Sequence, residues 1–472
     1  MTVVRPTLSE MLAEFAADLD PHALPDDVVS SVKDRILDTL CICHAGRGMD
    51  AGAAVRQLVA DWGGTPQSSV VHDLARLPAA SAALVNGTYA HSLDFDDTHL
   101  PSVVHPSATL VPAVLAQAQA LACGGLETIA ALAVGYEVCI RLSMAQYDPV
   151  LRNSIFFEHG FHATSIVGTV AAAVGCARLR GLDRGGIANA LGVACSMGAG
   201  IIEANRMGGT VKRVHCGWAA HSAVAAAALA AAGLSAPSTV LEGDFGFFAA
   251  FCRDQWHPEA VVAGLGTSWE TPQIFFKPYP CNHFTHTLVD AAMALRSRGL
   301  RGEDVAAVTI GTARASLRTI GQPIDQKRRP VSGYHAQFSA PFVFATALVG
   351  GGGLGVTLDD FSDSALADPL RRAVAERCDV VADDQCDSIF PHQFPVVVTV
   401  RTRDGRELRK AVLDNRGGPQ RPLSREELLV KARCNAGPEA DRLAEVLVGL
   451  DAASSIDALF NSSTVSEPSA QR

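Results

Sequence analysis

The chain has 472 residues and a formal net charge of −10, with 48% hydrophobic but only 6% aromatic residues. That length exceeds one ordinary hydrophobic core, so two domains built on small aliphatic side chains are expected. The acidic balance offers no basic face for nucleic acid, and a polyanionic ligand requires a local concentration of Lys, Arg and His.

The N-terminal stretch MTVVRPTLSEMLAEFAADLD carries acids through its apolar part, unlike a signal-peptide core. Apolar residues then recur at helical spacing over Thr7–Leu19, Asp26–Ala45, Ala80–His91, Ser107–Ala122, Leu126–Met144, Ala163–Leu179, Arg184–Gly198 and Ala219–Ala232. No apolar run reaches the roughly 18–20 residues of a membrane span, so the chain reads as cytoplasmic and free of membrane. From about residue 275 the pattern changes. Strands are expected over Val305–Ala313 and Val396–Thr402, the second turning through Arg403-Asp-Gly-Arg406 into Glu407–Leu413. Helices over Thr285–Arg296 and Phe338–Leu348 complete an α+β module. Helical patterning returns from Ser424, and the last dozen residues, NSSTVSEPSAQR, read as disordered. The fold class is therefore mainly α, a large all-helical domain plus a smaller α+β lid domain. The expected divisions are 1–274 for the helical part, 275–415 for the lid and 416–472 for a segment returning to the helical domain.

Twelve cysteines are scattered without a CxxC pair, which signals neither an iron–sulfur cluster nor structural zinc and suits a reducing compartment. No cofactor or metal is expected. The run GGGGLG at 350–355 formally matches a dinucleotide loop, but it follows a helix rather than a strand and reads as a helix terminus.

The densest chemistry lies in His91–Ser107, HSLDFDDTHLPSVVHPS, between two helix patterns. Acids beside imidazoles are what proton transfer at carbon requires. Pro106 suits the first turn of a helix, which places His105 where backbone N–H groups favour an anion. Asp94 and His105 are the candidates here, because buried charges need a reason. Asp96 and Asp97 are expected to cap backbone, His99 to face solvent, and His91 to be structural. A second element, Gly160-Phe-His162-Ala-Thr-Ser165, opens a helix with a histidine. A third, Gly208-Gly-Thr-Val-Lys212-Arg213-Val-His215, is a glycine-loosened basic loop ahead of the alanine-rich helix. A fourth, Phe276-Lys277-Pro-Tyr-Pro-Cys-Asn282-His283-Phe-Thr-His286, holds Lys277 on a proline-stiffened loop. Each alone has an ordinary explanation: a satisfied histidine, a surface loop, a linker. Four elements of one design, each with His or Lys ahead of a helix, point to a pocket for a compact polycarboxylate.

In order and approximate spacing, HSLDFDDTHLPSVVHPS, GFHATSIVG, GGTVKRVHCGWAA, KPYPCNHFTHTLVDAAMAL and QFSAPFVFATALVGG resemble the motifs of the MmgE/PrpD family, which includes 2-methylcitrate dehydratases, cis-aconitate decarboxylases and an iminodisuccinate epimerase. The resemblance implies a helical domain completed by the C-terminus, a smaller α+β lid, a homodimer, an active site between the two, and metal-independent chemistry on carboxylic acids. By motif it makes Asp94 and Thr98 pocket-lining residues, His105 and His162 the family's histidines, and Lys212 and Lys277 its carboxylate-binding lysines. One departure stands out. The family's cis-aconitate decarboxylases carry a histidine five positions after the lid lysine, where this chain has Asn282. Their lid tyrosine has no counterpart in Ile320-Gly-Gln-Pro323. The expectation is a hydro-lyase dehydrating a 2-methylcitrate-like hydroxy-tricarboxylate. His105 and His162 would transfer protons, Asp94 would orient them, and Thr98, Lys212, Lys277 and Asn282 would bind the substrate. An isomerase or epimerase ranks second, a decarboxylase third, and an inactive acid-binding protein is the non-enzyme alternative.

Overall fold

The computed structural model describes residues 5–73, 75–204 and 209–461. Gly208 and all but the first of the C-terminal residues expected to be disordered lie outside them. Two compact units emerge, Met1–Gln273 with Asn435–Arg472, and Ile274–Cys434.

Among its described residues the first unit is helical apart from two short hairpins, Ser68–Ser69 with Arg76–Leu77 and Tyr147–Asp148 with Asn153–Ser154. Helix α1 (Leu8–Asp18) starts in a capping box, in which Thr7 Oγ1 accepts from Glu10 N and the Glu10 carboxylate accepts from Thr7 N. Next come α2 (Asp26–Gly46), α3 (Asp50–Trp62), α4 (Ala79–His91), α5 (Ser107–Ala120), α6 (Gly125–Met144), α7 (Ala163–Leu179), α8 (Arg184–Cys195) and α9 (Lys212–Ala231). The low aromatic content explains how they pack. Helices α4 and α9 touch through Gly87 and Gly217; a Cβ on Gly217 would lie 2.3 Å from both the Leu84 carbonyl oxygen and Thr88 Oγ1. Gly168 and Gly175 of α7 give the same close approach to Thr109 of α5 and the Ala131 carbonyl of α6. Helix α9 is long and apolar enough to cross a membrane, contrary to the sequence expectation, yet it is a core helix with Cys216, Gly217, Ala219, Ala220 and Ala223 buried. It also begins at Lys212 rather than Ala219. Gly217 costs about 1 kcal/mol as a helix residue, and its contact with α4 offsets that cost. The C-terminal helix Glu439–Val448 packs back on α2.

The second unit is built on a four-stranded mixed sheet. Its strands are β1 (Val305–Thr312), β2 (Cys378–Ala382), β3 (Val396–Thr402) and β4 (Glu407–Val412), in the order β2-β1-β3-β4. β1 runs parallel to β2 and antiparallel to β3, with Val308 opposite both Cys378 and Val400. β3 and β4 form the expected hairpin, whose turn uses Gly405 at φ +85°. Helix α10 (His286–Ser297) packs on β3 and β4, and α11 (Ala340–Val349) packs on α10. α11 ends at Gly350, φ +135°, so the glycine run closes a helix. The expected division near 415 moves to Cys434. Phe276 N donates to the Gly417 carbonyl (2.9 Å), Phe394 N to Asn415 Oδ1 (2.7 Å) and Arg421 Nη1 to Asp290 Oδ2 (3.0 Å), tying this segment to the sheet unit.

Candidate active site

The site of the first unit grows from the end of α4. After His91 the chain turns through Asp94 at φ +53°, a left-handed conformation that aspartate tolerates better than most residues. The following loop is pinned at two points. His99 N donates to the Val104 carbonyl (2.9 Å). Asp97 caps α5, its Oδ1 accepting from Ser107 N (3.1 Å), while its Oδ2 pairs with Arg35 Nη1 of α2 (2.8 Å). Burial pushes the Asp97 carboxyl up, against the pull of Arg35 and Ser107. Asp97 is thus a structural cap, as its position suggested. His99 is not in solvent as expected; it is buried, its Nδ1 lies 2.7 Å from Ser102 Oγ, and burial lowers it to about 4.

Four imidazoles meet beside this loop. His105 N donates to Thr164 Oγ1 (3.1 Å), which sets it at the mouth of α7. Its Nδ1 lies 2.7 Å from the Asp97 carbonyl oxygen and 3.1 Å from Thr98 Oγ1. A carbonyl only accepts, so Nδ1 carries the proton and Nε2 is the basic nitrogen of the neutral ring. His162 caps α7, with its backbone N–H donating to Gly200 O (3.0 Å) and its Nδ1 3.1 Å from His215 Nδ1. His91 stands between them, its ring centre 5.6 Å from that of His105 and 5.5 Å from that of His162. Its Nδ1 is 2.7 Å from Asp96 Oδ2. Lys212 Nζ, on the first residue of α9, lies 3.6 Å from Asp94 Oδ1.

The electrostatics divide these rings. Burial opposes charge on His91, but Cys216 and the Asp96 carboxylate outweigh it and raise the ring to about 10. Burial, then the charges of His91 and Lys212, with His215 and His105 adding to them when protonated, hold His162 well below the usual imidazole range. Burial, His91 and Lys212 lower His215 to about 4. At neutral pH the group therefore holds a charged imidazole beside uncharged ones.

The first unit thus gathers Asp94, Thr98, His105, His162 and Lys212. The groups on His105 Nδ1 are the Asp97 carbonyl and Thr98 Oγ1, and Asp94 pairs with Lys212. Lys212 is in a helix, not in a loop ahead of one. Sequence reasoning did not single out the His91–Asp96 pair or His215. The signal for His215 was its place one turn after Lys212. Lys277 and Asn282 belong to the second unit. Lys277 is 1% exposed, in a segment held by the bond from Phe276 to Gly417. Asn282 Oδ1 accepts from Phe284 N (3.1 Å) and caps a short 3₁₀ turn, His283–Thr285. Among the described residues no group of three or more His, Cys, Asp or Glu is arranged to hold a metal ion. The twelve cysteines are free thiols, mostly buried.

A helical unit with a buried acid–base cluster, joined to an α+β unit, is the architecture of a known enzyme family. Residues 10–259 match the MmgE/PrpD N-terminal domain and residues 279–449 the MmgE/PrpD C-terminal domain. The chain belongs to the MmgE/PrpD family. It is similar to a cis-aconitate decarboxylase of Aspergillus terreus, 27% identical over 471 residues that cover 95% of this chain and 94% of the relative. The cis-aconitate decarboxylase of Homo sapiens is 30% identical over 439 residues, 91% of this chain and 88% of the relative. That of Mus musculus is 28% identical over 440 residues, 91% of this chain and 87% of the relative.

Proposed function

We propose that the protein is a lyase that moves a proton at the carbon next to a carboxylate of a compact di- or tricarboxylate. One observation carries this reading: His105, buried and fixed with Nδ1 as donor, shares a cluster with His162 and the Asp94–Lys212 pair. His105 Nε2 takes the α-proton, and the Asp97 carbonyl and Thr98 support the imidazolium that forms by accepting from Nδ1–H. Lys212 offsets the charge that develops on the substrate carboxylate. The proton that His105 takes departs with the leaving hydroxyl as water, and His162, in the same imidazole cluster, is the second group available to hand it over. Lys277 is a second carboxylate anchor in this reading, on the family resemblance, which also supports a homodimer. Sedimentation equilibrium tests the dimer.

The reaction we assign is loss of water from a 2-methylcitrate-like hydroxy-tricarboxylate. Asn282 supports it, because its carboxamide caps backbone and cannot deliver a proton as an imidazolium does. The names of the relatives support a second reading, decarboxylation of cis-aconitate. Proton NMR of a panel of hydroxy-tricarboxylates and unsaturated acids separates them. The expected result is an alkene product from a hydroxy acid and little itaconate from cis-aconitate. Rapid itaconate formation puts decarboxylation first, and a folded protein that turns over no acid in the panel overturns the lyase reading.

A further inference from the structure

The motif comparison assigned no role to His91 or Asp96. We propose that His91, held as an imidazolium by Asp96, is a positioning residue that keeps His105 and His162 as neutral imidazoles, able to accept a proton, until substrate arrives. The idea rests on the lyase reading and names the group that prepares its base.

Three features of the geometry support it. The His91 and Asp96 side chains are 0% and 2% exposed, and their 2.7 Å contact gives the ring a carboxylate partner that water does not screen. His91 is also the last residue of α4, where the helix dipole favours a cation. Finally, the ring is equidistant from its two neighbours, at 5.6 and 5.5 Å, so a charge on it acts on both. Asp96 on the loop and Cys216 on α9 act on His91, which faces His105 before α5, His162 before α7 and His215 on α9; around these, Lys212 of α9 acts on His162 and His215, and Cys43 of α2 faces Asp96. Of these, Lys212 already pairs with Asp94, and His215 meets His162 through Nδ1. Asp96 is the carboxylate that holds His91. Gly87 and Gly217 make the arrangement possible, because their contact brings α9 against the end of α4.

The test titrates the histidine rings by ¹³C NMR in the substrate-free protein, comparing wild type with His91→Asn and Asp96→Asn. Asn at 91 places an amide N–H where Nδ1–H stands and keeps the hydrogen bond without the charge; Asn at 96 removes the anion that holds the charge. Both variants should move the His162 titration to higher pH by about one to two pH units, the usual effect of a charged neighbour at this range. His91→Lys, which restores a cation, should return it toward the wild-type position. Titration of His162 and His105 that stays unchanged in the folded variants overturns the proposal, and if one variant fails to fold the other still decides. With an active substrate, the acid limb of kcat/KM should move by the same amount. A fall in Tm with an unmoved limb shows a merely structural pair and also overturns it. If no acid is turned over, the lyase reading fails, while the ring titration still judges His91.

Discussion

Two groups of buried histidines stand near helix ends in this protein, one in each unit, and their surroundings differ. In the second unit His283 and His286 lie 4.4 Å apart between ring centres, among Phe275, Phe394 and Tyr279. His286 Nε2 is 3.0 Å from the Cys281 carbonyl. In the first unit His91, His105, His162 and His215 share their space with Asp94, Asp96 and Lys212. Aromatic rings make a histidine a packing group. Carboxylates and a lysine make it a titratable group whose charge the neighbours decide. Position near a helix end is common to both groups and therefore not what marks the chemistry.

The two groups should differ most at His105. His105→Ala should lower kcat by roughly 10²–10⁴-fold, the usual contribution of one placed acid–base group. Steady-state turnover followed by NMR measures it. An equal loss in His286→Ala would erase the distinction between the groups. The next effect is on stability. Asp97→Ala leaves Arg35 charged and buried, and losing one partner of such a pair costs about 3–5 kcal/mol, read by denaturant unfolding. Gly217→Ala should cost about 1–3 kcal/mol, because its Cβ has no room against Leu84 and Thr88. It should also disturb turnover, since α9 carries Lys212 and His215. In the second unit, Lys277→Ala should raise KM about tenfold, near 1.4 kcal/mol, with partial rescue by Lys277→Arg because a planar fork replaces a point charge.

The last effect is on the pH dependence of stability. His215, lowered to about 4, contributes stability that is full above the ordinary value near 6.5 and is lost as pH falls toward 4. His91, raised to about 10, contributes stability that is full below about 6.5 and is lost as pH rises toward 10. Together they place an optimum near neutrality, with limbs on the order of 1 kcal/mol per pH unit. Unfolding followed across pH should show His215→Gln flattening the acid limb and His91→Asn the alkaline one. Limbs unchanged by both substitutions would deny the charge assignments.

Much of the architecture was legible in the chain. Helices α1, α2 and α4 to α9 of the first unit, though not α3, the strands Val305–Thr312 and Val396–Thr402 and the hairpin after them follow from local period and turn residues, which act between near neighbours. The motif blocks also identified five residues that the first unit brings together. Other features were hidden. Strand β2 is five residues with Asp379 inside it and Asp383 and Asp384 after it, and only pairing with β1 makes it a strand. The start of α9 at Lys212 and the burial of His99 depend on contacts with distant helices and loops. The boundary at Cys434 depends on hydrogen bonds across more than a hundred residues, such as Phe276 to Gly417.

What the amino-acid sequence determined by itself was residue type and local period, and from these a helical fold with acids, imidazoles and a lysine in marked blocks. What only the tertiary structure decided was which imidazole faces which charge. His91 was set aside as structural, yet it meets Asp96 at 2.7 Å and stands between His105 and His162. Protonation depends on burial and on charges a few ångströms away, and those distances are set by helix packing between segments far apart in the chain.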